Sequence, residues 1–296
     1  MRIAKFFILL LLISASCSNQ STENSNNKKT ITVSILPQKY FVEKVAGEHF
    51  NINVLIPPGA SPVTYEPTPK QMKELSNSFA YLKIGYIEFE NVWMKNMQSI
   101  NAEMKIVDLS QNADLIEPEN KHVHSHDGHH HHGVDPHIWT SPIEVKKQAE
   151  IIFDFLVNSE PESKNEFTVN YNSFLSEIDS LNNYLIEILL PYKNRKFMIF
   201  HPALSYIARD YGLEQISIEI DGKEPTPANI QEIINVAKQE DIRIIFVQKQ
   251  FSTHNAEVIA NEIQASVIQI DPLDYNWEKS IRFIANEIVK SYSKAN

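Results

Sequence analysis

FTVNYNSFLSEIDSLNNYLIEILLP, residues 167–191, is the most regular stretch of this 296-residue chain. Its apolar residues Phe167, Tyr171, Phe174, Ile178, Leu181, Leu185 and Ile188 recur at steps of four and three. That spacing lines them along one face of an α-helix, and Pro191 is expected to end it. A helix of about 28 residues covers about 40 Å at 1.5 Å per residue. Such a rod is either a packed helix inside one domain or a stiff backbone between two.

The flanking sequence favours two. Before it, ITVSIL (residues 31–36), NINVLI (51–56), AYLKIG (80–85) and KIVDLS (105–110) read as strands, being short, branched and bounded by breakers. Helical patterns lie between them at 38–46, 70–77 and 89–100, and Pro142 opens a further helix to about residue 157. After it, FMIF (197–200), QISIEI (215–220), RIIFVQ (243–248) and SVIQI (266–270) repeat the plan, with helices at 203–211, 227–239, 254–264 and 277–292. Strand–helix alternation implies parallel sheets covered by helices. The expected fold is therefore α/β: two lobes, each a mostly parallel sheet flanked by helices, at residues 30–160 and 192–296. One long backbone helix at residues 161–191 joins them.

The N-terminus carries an address. Arg2 and Lys5 precede an apolar run at 6–13, and Ser14, Ala15 and Ser16 lead to Cys17. Basic start, short apolar core and small-residue exit make a secretion signal over residues 1–17, too short for a transmembrane span. Cys17 is the only cysteine, so no intramolecular disulfide can form. Its position after small residues resembles the lipidation site of bacterial lipoproteins, with Ser14 where leucine is usual. Lipidated Cys17 would anchor the protein to a bacterial membrane, in the periplasm or at the cell surface. Residues 18–29, rich in Asn and Ser, read as a flexible tether. The net charge of −10 argues against a nucleic-acid partner.

Open α/β sheets bind ligands beyond the carboxyl ends of their strands. His201 and Asp271 stand just past predicted strands, and His137 in VDPHIWTSP stands before a predicted helix. Two imidazoles and one carboxylate suit zinc better than the all-oxygen ions calcium and magnesium. The insert at 117–133, EPENKHVHSHDGHHHHG, holds seven of the eleven histidines: His122, His124, His126, His129, His130, His131 and His132. Clustered imidazoles of this kind bind transition metals and are expected to gather ions near the cleft.

From about residue 31 to the C-terminus the chain resembles the cluster A-I metal-binding proteins of ABC transporters, the group that includes the ZnuA-like zinc binders. VDPHIWTSP, FHPALSYIARDYGL, GKEPTPANI and IDPLD carry the likeness. The resemblance implies His137, His201 and Asp271 as ligands in a cleft between two lobes. It also implies zinc rather than manganese, and delivery to an ABC transporter permease by a monomer that is not an enzyme. SPVTYEPTP departs from the family pattern, since Val63 stands where the family has its first histidine ligand. The fourth ligand is then expected to be water or Glu66, ahead of a histidine from the insert. Two other functions compete. A zinc-dependent hydrolase uses a similar donor set, although no H-E-x-x-H or G-x-S-x-G motif occurs. A metal-buffering or adhesion lipoprotein would rely on the histidine insert instead.

Overall fold

The computed structural model describes residues 28–117, 133–220 and 222–293. The signal with Cys17, residues 18–27 of the tether and the seven histidines of the insert lie outside the described residues.

Strands β1 (Thr30–Val33), β2 (Asn51–Val54), β3 (Ala80–Lys83) and β4 (Lys105–Asp108) build the first sheet. All pairs are parallel, in the order β2-β1-β3-β4. A parallel neighbour cannot be reached by a tight turn, so helices fill the crossovers. These are α1 (Leu36–Ala46), α2 (Pro69–Leu75) and α3 (Glu88–Ile100). β1 stops earlier than its apolar run. The buried Gln38 side chain accepts from the backbone N–H groups of Ser34 and Ile35 at 2.9 and 3.1 Å, and donates to the Leu82 carbonyl at 2.9 Å. Those bonds turn the chain into α1.

Helices α4 (Pro142–Ser159) and α5 (Lys164–Leu189) follow. The second sheet then repeats the first, with β5 (Lys196–Ile199), β6 (Glu214–Ser217), β7 (Ile244–Gln248) and β8 (Ser266–Ile270) in the parallel order β6-β5-β7-β8. Helices α6 (Ser205–Tyr211), α7 (Pro227–Gln239), α8 (His254–Ile263) and α9 (Trp277–Ser293) accompany it.

The 26 residues of α5 span about 39 Å. Phe167, Phe174, Ile178, Leu181, Leu185 and Leu189 are buried along one face, and Pro191 falls in the 3-10 turn that ends it. α5 packs on α1 and α4 at one end and on α9 at the other, so it joins the two lobes. Alternation along the second sheet divides its side chains between two cores. Phe197, Ile199, Ile244 and Phe246 join the core that runs through α5 into the first lobe. Met198, Phe200, Ile245 and Val247 face a separate core under α7 and α8. One sheet face is thereby cemented to the joining helix.

The lobes are also tied by polar bonds. The Trp139 indole donates to the Pro272 carbonyl at 3.0 Å and that of Trp277 to the Trp139 carbonyl at 2.6 Å. The Tyr206 hydroxyl donates to the Asp135 carbonyl at 2.7 Å. No described helix is long and apolar enough to cross a membrane.

Candidate metal centre

In both sheets the chain runs out to one side and returns to the other, which places a topological switch point between β1 and β3 and between β5 and β7. Ligands gather at the carboxyl ends beside such points. A cleft of about 400 Å³ opens there, lined on one side by Pro62, Val63 and Tyr86 and on the other by His201, Gln248 and Phe251.

His201 follows β5 by two residues. Gln248, the last residue of β7, is 2% exposed and grips its backbone twice. The Gln248 side-chain oxygen accepts from the His201 N–H at 3.3 Å and its amide donates to the His201 carbonyl at 2.6 Å. The Phe251 ring stacks on the imidazole at 5.1 Å. His137 stands just before a 3-10 turn at Ile138–Thr140 that leads into α4. The Asp135 carboxylate accepts from its N–H at 2.9 Å, and the Trp139 ring packs against the imidazole at 5.1 Å.

Each imidazole also has its own carboxylate. His137 Nδ1 lies 2.8 Å from Asp135 Oδ1, and His201 Nδ1 lies 2.7 Å from Glu219 Oε2. A carboxylate can only accept, so Nδ1 carries the hydrogen on both rings and a neutral imidazole then leaves Nε2 as an exposed lone pair. The two Nε2 atoms face each other at 3.2 Å. Two acceptors at that distance repel unless a proton on one ring or a metal ion lies between them. The separation suits a tetrahedral ion, because two nitrogens at 2.0–2.1 Å from one zinc lie about 3.3–3.4 Å apart. Carboxylate-backed imidazoles presenting one nitrogen are how proteins orient metal ligands. Burial works to raise the Asp135 carboxyl, but its electrostatic interaction with the His137 ring and the hydrogen bonds it accepts hold it below the ordinary value.

The structure brings together two of the three predicted ligands. Asp271 stands apart from them, at the edge of a smaller neighbouring pocket beside Pro57 and Pro58. Its Oδ1 accepts from the Gln250 amide at 3.2 Å and from the Leu273 N–H at 3.1 Å, and its Oδ2 lies 3.5 Å from Lys249 Nζ. Among the described residues no group of three or more His, Cys, Asp or Glu is placed to hold one ion. Glu66 is exposed and does not line the cleft, so the structure does not bring it beside the two imidazoles. Its neighbour Tyr65 is pinned inward against Phe89 and Gln71, so Glu66 is turned to solvent. Val63 does line the cleft, 42% exposed.

Asp135 and Glu219 were not singled out from the sequence. Asp135 was readable, being two residues before His137 inside the motif; Glu219 was not, because only the pairing of β5 with β6 brings it beside His201. In the stretch GKEPTPANI, Gly222, at φ 72°, lines the cleft, and Thr226 and Asn229 cap α7 reciprocally.

Residues 31–291 match the family described as zinc-uptake complex component A, periplasmic. The chain belongs to the ZnuA family. It is 28% identical over 290 residues to the zinc-binding lipoprotein AdcA of Streptococcus pneumoniae, covering 95% of this chain and 56% of AdcA. The chain thus spans just over half the length of that relative. It is 26% identical over 274 residues to the high-affinity zinc uptake system protein ZnuA of Bacillus subtilis, covering 89% and 85% of the two chains. The crystal structure of a ZnuA deletion mutant with zinc bound superposes with a TM-score of 0.81 at 39% identity, over 89% of this chain and 97% of that one. The two-lobe architecture with its joining helix is therefore the fold of ZnuA proteins.

Proposed function

We propose that this protein captures a zinc ion outside the cytoplasm, between His137 and His201, and delivers it to the permease of an ABC importer. The observation that carries this reading is the facing pair of Nε2 atoms, each ring backed through Nδ1 by a carboxylate. Two imidazoles favour zinc over manganese, whose preferred donors are oxygens. Membership of the ZnuA family and the zinc-binding relatives support the same cargo. The protein acts as a binding protein and not as an enzyme, as a monomer held to the membrane only through lipidated Cys17. The histidines of the insert collect ions near the cleft.

Zinc titration by calorimetry tests the reading on a chain lacking residues 117–133, so that the insert contributes nothing. One zinc per chain is expected, lost in His137→Ala and in His201→Ala. Undiminished zinc affinity in the double variant would rule out the cleft as the site.

A further inference from the structure

The described lining of the cleft carries three carboxylates, and two of them are committed. Asp135 and Glu219 accept from the Nδ1 atoms of His137 and His201. Glu88 is the third. It is the first residue of α3 and half-buried, and among the described residues its carboxylate has no hydrogen-bond or ion-pair partner. An acidic residue in a first helical turn favours the helix dipole, which needs no cleft. The position of Glu88 gives it a second use. The Phe89 N–H donates to the Pro62 carbonyl at 3.1 Å, which fastens the start of α3 to the loop carrying Val63. Glu88 therefore stands on the wall that Val63 shares, and the side chain of Val63 offers an ion nothing. No lysine or arginine of the described lining competes for the carboxylate, and Ser61, Asn91 and Gln250 are neutral.

We propose that Glu88 is the third protein donor to the ion held by His137 and His201, supplying the anionic oxygen that the wall at Val63 cannot. This rests on the two-histidine reading above. Two neutral imidazoles leave the charge of a divalent ion unopposed within the donor set, and a carboxylate oxygen offsets part of it. Two imidazoles, one carboxylate and an exchangeable water form a set that zinc accepts. As the cleft stands, no third group among the described residues completes the pair. The ion itself therefore draws the carboxylate in, and one water leaves the ion as the oxygen arrives. That swing breaks no bond of Glu88. Asp135 or Glu219 could turn to the ion only by releasing an imidazole. The attraction between carboxylate and ion grows as the cleft excludes water, because the effective dielectric constant falls.

Zinc titration of the full chain against a competing chelator tests this, with the zinc that His201→Ala loses taken as the zinc of the cleft. Glu88→Gln keeps the size of the side chain and removes its charge. It is expected to weaken the cleft zinc by about 10–100-fold, the scale of coupling between groups that share a partner. Infrared difference spectra, zinc-loaded minus metal-free, add a readout that a helix-dipole role would not move. The wild type should show a carboxylate band that shifts on loading, and Glu88→Gln should lack it. If Glu88→Gln keeps the wild-type affinity, or loses affinity while the shifting band remains, this inference is overturned and the two-histidine site stands. If no zinc depends on His201, the site itself is refuted along with it.

Discussion

Glu219 and Asp135 decide which nitrogen each imidazole offers, and this is the finest scale at which the cleft is built. Without Glu219, His201 is free to change tautomer and to rotate on its stacking partner Phe251. Glu219→Ala is expected to weaken zinc binding about 10–100-fold. Glu219→Gln, which keeps an acceptor oxygen, should recover part of that loss; calorimetric affinities equal to wild type in both would show that orientation is not its task. Asp271 gives the contrasting case. With its carboxylate satisfied by Gln250, the Leu273 N–H and Lys249, it is expected to matter mainly through its charge. Asp271→Asn should therefore cost less than tenfold in zinc affinity, and a loss as complete as that of His201→Ala would mean that it turns in to the ion.

Between strand and helix, the turn from β3 into α3 positions the cleft wall at Tyr86, and a buried carboxylate holds it. Glu90, 3% exposed, accepts from the Ile84 and Gly85 N–H groups, both at 2.8 Å, and from the Ser34 hydroxyl. Gly85 is required there: its φ is 90°, and an added Cβ would lie 2.7 Å from Ser110 Cβ. Burial pushes the Glu90 carboxyl from 4.5 up to about 7, against the bonds from Ser34, Ile84 and Gly85 and the charge of Lys83. A carboxyl raised in this way keeps its proton in the folded state where the unfolded chain has lost it. Its contribution therefore favours folding most at low pH and declines as pH climbs from about 4.5 to about 7, by on the order of 3 kcal/mol. Glu90→Gln cannot ionise. It should cost about 1–3 kcal/mol for the lost acceptor. It should also flatten the fall in stability between about pH 5 and pH 7.5. Denaturation curves that change equally with pH in both proteins would assign the effect to another group.

At the scale of the molecule, the two lobes are clamped along α5 and again beside the site. Arg209 on α6 reaches the fully buried Glu144 on α4 at 2.8 Å, and also bonds the Asp114 carbonyl. Arg209→Ala leaves that carboxylate with Lys147 and the Asp114 N–H alone. A loss of about 2–3 kcal/mol in denaturant unfolding is expected, at the low end for breaking a buried pair because Lys147 remains. A change below about 0.5 kcal/mol, the size of a surface substitution, would show that the lobes hold together without it. The fold class was legible in the chain because helix and strand periodicities are local: the stripe from Phe167 to Leu185 and the eight branched runs need no partner to be seen. Strand ends were less legible, since β1 is cut short by Gln38 acting across to Leu82. For the site, local motifs exposed His137 and His201, because each sits in a loop next to a recognisable element. Their convergence to 3.2 Å, the backing of His201 by Glu219, the outward turn of Glu66 and the separation of Asp271 depend on strand order and on contacts between residues far apart in sequence. Periodicity records which face of an element is buried; only the packed lobes determine what that face, or the loop beyond it, meets.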